Sequence, residues 1–563
     1  MPAIQREQRN IQRTSTVKAG RFVEALRENA VGQSGTFDSA AADEFLSGAL
    51  NQNSAQVPDS MQALFDEVPA ENHGHIMKAV LDGIGIYEGE HGVAAPADLI
   101  EQAFHLAYST TDNARARFAL DSASNSHSDQ LSLQPNRAVV AILSAFAEAI
   151  PFAHYLPADI GSNEARLAIL NHRTGAAYGL YAAGASLDGA NAGDPYITSS
   201  RVSKVTVAAA AIPTGKLTSV QATRDTCAAV AGSVVAVKLL RGRSQVFING
   251  KKVAAEVTTD QNGAGNSTIA GSVTIGATTY TLGGTINTDN GDHALTSSPM
   301  LPNGTDIIVE GFIDYERQPE ITPNIITVAD TYSLFAKPWR VFTQTTPDTQ
   351  SQMSNELGLD PYSESIIAIQ NQFNQERHYE VLAKALRLGA NNTATFDMAW
   401  STMSAQKTRA QVIQDLQSTI GIVSQKMAED TLSHGVSHLY VGKYFAAQLL
   451  SLPSDIWQSS GIQVRPGVFR LGRLFGMYDV YYSPKILTDT NSASQILAVG
   501  RASDVTRNPF ILGDATAPSV TPLAVGTDLK RGAGFYARNF TEVNPHSPSA
   551  SGCALISVTN MGL

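Results

Sequence analysis

The stretch opened by Asp360-Pro361 and closed by Gly389 constrains the fold most. Asp360 offers a side-chain acceptor for a helix N-cap, Pro361 suits the first helical position, and Gly389 follows the last apolar residue, Leu388. The spacing predicts a helix over 361–388, about 42 Å long at 1.5 Å per residue. Its apolar stripe begins with Ile366, Ile369 and Phe373 and resumes at Val381, Leu382, Ala385 and Leu386. Gln375-Glu376-Arg377-His378 interrupts it. A helix this long lies across a sheet, and the interruption leaves its middle facing solvent or another chain. A second helix within 406–432 carries Val412, Leu416, Ile420, Val423 and Met427 on one face, which is core packing rather than a cofactor box.

The rest of the chain changes texture around these helices. Residues 1–134 read as short amphipathic helices: Phe22, Val23 and Leu26 share a face, as do Phe45, Leu46 and Leu50. Further pieces fall in 60–82 and 98–108, separated by polar breaks such as GQSGTFDS and DSASNSHSDQ. ARLAILNH (165–172) reads as a strand. YGLYAAGASLDGANAGDPYITSSR (178–201) has too few large apolar groups to bury itself, so it stays mobile or is ordered by a neighbour. VVAVKLL (234–240), QVFINGKKV (245–253), SVTIGATTYTL (272–282) and TDIIVEGFI (305–313) make 203–315 an inserted β-sandwich or barrel. Asn249-Gly250 is its type I′ hairpin signal. Long strands are expected in 321–346.

Composition limits function. With 40 Lys+Arg against 51 Asp+Glu the net charge is −11, which argues against general wrapping of nucleic acid. The first thirty residues are locally basic: Arg6, Arg9, Arg13, Lys18, Arg21 and Arg27 outnumber Glu7, Glu24 and Glu28. Cys227 and Cys553 are the only cysteines, excluding a disulfide framework or a thiolate zinc knuckle. MPAIQREQRNIQR has no apolar core of a secretory signal, and AVVAILSAFA (138–147) is too short to span a bilayer. A soluble, non-secreted protein is expected. P-loop, H-E-x-x-H, C-x-x-C and G-x-S-x-G patterns are absent. Gly83, Gly85 and Gly89 miss the dinucleotide spacing by one residue. His434 and His438 sit four apart, but Gly435 between them suggests histidines drawn to a helix C-terminus rather than metal ligands. No cofactor, metal or catalytic residue is expected.

In FRLGRLFGMYDVYYSPKI (469–486), Gly472 and Gly476 give turn freedom, and Tyr478, Val480 and Tyr482 share a face of the following strand. The second helix, within 406–432, leads into SHLYVGKYFAAQLLSLP (437–453), this bend follows, and QILAVGRASDVTRNPFILGD (495–514) and GAGFYARNFTEVNPHSPSASGCALISVTN (532–560) close the chain. This succession resembles the major capsid proteins of tailed bacteriophages, especially larger myovirus-like versions with an inserted β domain. The resemblance implies an α+β capsid fold with axial and peripheral domains, an extended loop, a long spine helix, an all-β insertion and a helical N-terminal region. It implies 1–134 as the helical arm, 135–202 as the start of the peripheral domain and the extended loop, and 203–315 as the insertion. It further implies 316–432 as peripheral domain with spine helix 361–388, 433–525 as axial domain, and 526–563 as strands returning to the peripheral domain.

By the same resemblance, copies self-assemble into hexamers and pentamers of an icosahedral head around packaged double-stranded DNA. Assembly occurs in the host cytoplasm, the protein ends in the virion, and no membrane is involved. Scaffold, portal and decoration proteins are implied partners, with at most non-specific DNA contact. Tyr181, Asp188, Arg201, Arg377, Arg470 and Arg473 are the interface residues expected on this basis. Two other readings remain open: a hydrolase with a carbohydrate-binding β domain, and another virion component such as a tail, baseplate or adhesin protein.

Overall fold

The computed structural model describes all residues except 1–2, 31–37, 53–56, 110–129, 158–163, 228–234, 259–263, 524–528 and 563. Most of DSASNSHSDQ and GQSGTFDS therefore lies outside the described residues, as do the side chains of Arg6, Arg9, Arg13 and Leu50. The chain divides into a larger unit, Met1–Ile169 with Thr331–Leu563, and a smaller one, Leu170–Asp330. The strands Glu164–Thr174 and Ile325–Phe335 carry the chain out and back and pair with each other as a two-stranded ribbon.

The larger unit begins with helices α1 (Ala3–Ala30), α2 (Ser39–Gln52), α3 (Asp59–Glu67), α4 (His73–His91), α5 (Ala97–Ser109) and α6 (Gln130–Ala147). Phe22, Val23, Leu26 and Leu46 are buried, as their spacing predicts. The helical region runs on past residue 134, because AVVAILSAFA forms the second half of α6 and buries Ala138, Ile142 and Phe146. Gly83, Gly85 and Gly89 all lie within α4.

Two sheets complete this unit. A four-stranded sheet runs in the order His154–Tyr155, Phe510–Leu523, Arg531–Val543, Lys337–Thr345. A mixed seven-stranded sheet runs Thr393–Asp397, Cys553–Thr559, Ser494–Gly500, Val436–Val441, Tyr478–Tyr482, Phe469–Leu474, Trp457–Ser459. Phe510–Leu523, expected within 433–525, thus pairs along its length with Arg531–Val543. Cys553–Thr559 is paired on both sides in the second sheet.

The long helix spans Pro361–Gly389, and the Asp360 carboxylate accepts from the Tyr362 N–H and the Ser363 hydroxyl. Its middle meets the stripe-based expectation in part: Gln375 and Glu376 are exposed, while Arg377 turns inward. Arg377 is buried there, against Asp514 of the sheet, so the gap in the apolar stripe is an ion pair. The exposed part is the first half, where Phe373 is the buried apolar side chain and Ile367 is 52% exposed.

The second helix, Arg409–Thr431, buries Val412, Leu416, Ile420, Val423 and Met427 as expected. Each such burial contributes about 1.5–3 kcal/mol. Thr408 caps it in a reciprocal box with Gln411. Thr408→Ala removes that cap and is expected to cost about 1 kcal/mol in chemical denaturation, while Thr408→Ser costs a fraction of that.

The bend at 469–486 is a hairpin. Phe475 (φ 53°) and Gly476 (φ 69°) make the turn between Phe469–Leu474 and Tyr478–Tyr482. Gly472 does not turn the chain. It sits at a register shift opposite Ser459, where a Cβ would stand 2.1 Å from the Gln458 carbonyl oxygen, so the edge strand can close only over glycine. Tyr478 and Val480 are buried in one core, and Tyr481, on the opposite face, in another.

The smaller unit is an eight-stranded antiparallel sheet: Ser200–Thr206, Asp306–Phe312, Gln245–Ile248, Lys251–Val257, Asn266–Ile275, Thr278–Asn287, Asp292–Ser298, Gly215–Lys216. Gly215 of the last strand stands against Ser203 of the first, so the sheet curls toward a barrel. Asn249 (φ 52°) and Gly250 make the expected tight turn. Two expectations differ. SVTIGATTYTL is a hairpin bent at Gly276-Ala277 rather than one strand. The described part of VVAVKLL makes isolated bridges, at Ala236 and Leu239, instead of a strand.

Candidate functional site

The six residues expected at an interface fall into five places, and of them only Arg470 and Arg473 share a partner. Both donate to Asp479: Arg470 Nη2 stands 2.8 Å from Oδ1 and Arg473 Nη2 3.0 Å from Oδ2. The register shift between Arg470 and Gly472 offsets strict alternation and lets both arginines reach Asp479 on one sheet face. Burial disfavours the Asp479 charge, but hydrogen bonds from Arg473 and Arg470 outweigh it and hold the carboxyl below its usual range. These guanidinium groups are therefore occupied inside their own chain.

Arg377 pairs with Asp514 at 3.2 Å, both nearly fully buried. Gln102 of α5 donates to the same carboxylate at 3.2 Å, joining the N-terminal helices to the sheet. Burial pushes the Glu148 carboxyl up to about 7, with Arg377 opposing the shift. A parallel joint lies nearby in the sequence of elements: Asp98 of α5 accepts from His154 Nδ1 and from the Tyr155 N–H, each at 2.9 Å. Burial works against ionisation of Asp98, yet His154 and Arg501 bring its carboxyl below the ordinary value.

In the smaller unit the glycine-rich stretch 178–201 stays largely exposed, but its tyrosines Tyr178, Tyr181 and Tyr196 are buried and anchor it. Tyr178 and Tyr181 both meet the Tyr196 ring edge-on, at 6.1 and 5.6 Å. The Tyr181 hydroxyl donates to the Asn191 carbonyl and accepts from the Asp194 N–H. Asp188 accepts from the His172 N–H at 3.0 Å and its Nδ1 at 2.8 Å. Arg201, fully buried, lies 4.3 Å from the centroid of Tyr178 and donates to the carbonyls of Ser219, Thr198 and Ser200. Its anchoring role had a sequence signal in the tyrosines at 178, 181 and 196.

His434 and His438 do not share a helix face. The helix ends at Thr431, His434 lies in the following loop, and His438 is on the strand Val436–Val441. Among the described residues no group of three or more His, Cys, Asp or Glu side chains is arranged to hold a metal, and no helix is long and apolar enough to cross a membrane.

Sequence reasoning missed the exposed apolar side chains of the first sheet and its helix. Phe342 is 68% and Val341 45% exposed on the edge strand Lys337–Thr345; Leu523 of the same sheet and Ile367 of the long helix are exposed as well. The buried cluster under this helix consists of Phe373, Phe535 and Ala537.

No family model matches the sequence, and no curated protein matches it. Among solved structures, the chain is similar to the capsid of jumbo bacteriophage PhiKZ, with 9% identity, 73% of this chain and 93% of that one covered, and a TM-score of 0.35. It is also similar to the capsid of Myoviridae phage XM1, with 10% identity, coverage of 58% and 89%, and a TM-score of 0.26. The SrpI encapsulin of Synechococcus elongatus PCC 7942 shows 11% identity, coverage of 41% and 77%, and a TM-score of 0.25.

Proposed function

We propose that this chain is the major capsid protein of a tailed bacteriophage, a structural rather than catalytic component of the virion. Its copies form hexamers and pentamers of an icosahedral shell around double-stranded DNA, with scaffold, portal and decoration proteins as partners during assembly. The observation that carries this reading is the exposed apolar surface on the four-stranded sheet and the long helix of the larger unit. There the exposed half of Pro361–Gly389 covers long strands over a cluster of three buried residues, with Val341, Phe342 and Leu523 left in solvent. An apolar edge of that kind is a surface for association, and copies of one chain meeting at repeated weak contacts sum their stability over the assembly. The order of long helix, second helix, glycine-bent hairpin and closing strands supports the same reading by its resemblance to the family.

Quantitative mass spectrometry of purified particles tests it: on the order of hundreds of copies per particle is expected for a shell, and a handful would contradict it. Phe342→Glu places a charge on the exposed edge and is expected to abolish assembly, read by sedimentation velocity, without changing the circular dichroism spectrum.

A further inference from the structure

Histidine and tyrosine rings, beside aliphatic side chains such as Leu497 and Val499, join the N-terminal helices to the seven-stranded sheet. His91, the last residue of α4, packs on Tyr87 at 4.5 Å and bonds through Nδ1 to the Tyr481 hydroxyl at 3.0 Å. Tyr481 stacks on Tyr440 at 5.3 Å and meets His438 at 6.0 Å. His378 of the long helix bonds to the Tyr440 hydroxyl at 3.2 Å. Phe152, which follows α6, closes the group edge-on against Tyr440 and Phe510, 5.6 Å from each. Three histidines from α4, the long helix and the sheet thus share one ring cluster.

We propose that this cluster is an acid-opened clasp: protonation of His91, His378 and His438 releases α4 and the Phe152 segment from the sheet. The surroundings favour the uncharged rings. Arg470 and Arg465 face His91, and His378 and His438 act on it as well. Arg501, Arg470 and Arg473 face His438, opposed by Asp479. The carboxylates nearby are already engaged: Asp479 by Arg470 and Arg473, Asp98 by His154 and Arg501, Glu90 by Arg465. Tyr87, Tyr440 and Tyr481 stay neutral, their hydroxyl pKa values raised by burial.

The sign follows from proton linkage. Burial holds His91 and His438 down to about 3 and His378 to about 4, against the ordinary 6.5. The opened state therefore binds more protons, and docking is fully stable above pH 6.5 and weakens as pH falls from there toward 4. Because each charge disfavours the next while the clasp is closed, opening takes up more than one proton.

Hydrogen exchange on the full chain between pH 7.5 and 4.5, corrected for intrinsic rates, tests the clasp. Protection of α4 amides is expected to fall at least about tenfold between pH 7 and pH 5, while the hairpin Asn266–Asn287 keeps its protection. The slope of log protection against pH should indicate uptake of two or more protons. A His91→Gln, His438→Gln variant should keep α4 protected to lower pH. Should that variant fail to fold, the wild-type slope alone decides. Unchanged α4 protection down to pH 5, a slope below one proton, or an equal loss in the double variant would overturn the proposal.

Discussion

Arg377→Ala is expected to destabilise the larger unit by about 3–5 kcal/mol, the usual penalty for breaking a buried ion pair from one side. The guanidinium stands against Asp514 in the interior, so its loss strands that carboxylate and also removes the cation opposing the raised pKa of Glu148. Without that cation the folded-state pKa of Glu148, already raised by burial, rises further above its unfolded value. Groups shifted that way contribute stability at low pH and lose it as pH rises, so the deficit of the variant should shrink from pH 8 to pH 6. Chemical denaturation at the two pH values measures it. Arg377→Met combined with Asp514→Leu removes both charges at similar volume and should recover most of the loss. A single-variant cost under about 1 kcal/mol would show that the pair does not hold the long helix to the sheet.

The second large effect belongs to Arg201. Replacing it with alanine is expected to cost about 3–4 kcal/mol, since three carbonyls lose their donor and the Tyr178 face loses its cation. Burial lowers the Arg201 pKa, a sign that the charge is held at some expense of solvation. Lysine cannot span the same three carbonyls with its single ammonium, so Arg201→Lys should recover only part of the loss. The effect should be local: exchange protection in 178–201 falls, while the strands Asn266–Ile275 and Thr278–Asn287 keep theirs. Unchanged exchange in 178–201 would show that the tyrosines order this stretch unaided.

Local signals in the sequence carried far into the fold. Asp360-Pro361, the 4-4-3-4 stripe of Arg409–Thr431 and Asn249-Gly250 were legible because capping, helical periodicity and a tight turn act within a few residues. Long-range partners were not legible. Nothing beside Arg377 announces Asp514, 137 positions away, so a buried ion pair reads as a break in an apolar stripe. Gly472 likewise looks like a turn residue until the edge strand Trp457–Ser459 is placed against it. The stretch 178–201 misled for a different reason: tyrosines bury rings while keeping hydroxyl partners, so a count of aliphatic residues undervalues their core. The interface candidates shared this limit, since charge spacing does not reveal that Arg470 and Arg473 meet on Asp479. Exposure of Phe342 is a property of sheet order, set by the edge position of Lys337–Thr345.

Electron microscopy of the expressed protein, with and without the products of its neighbouring genes, tests the central claim most directly. The account predicts closed shells, or rings of five and six subunits. Monomers under every condition, with no particle carrying the chain in high copy number, would contradict it.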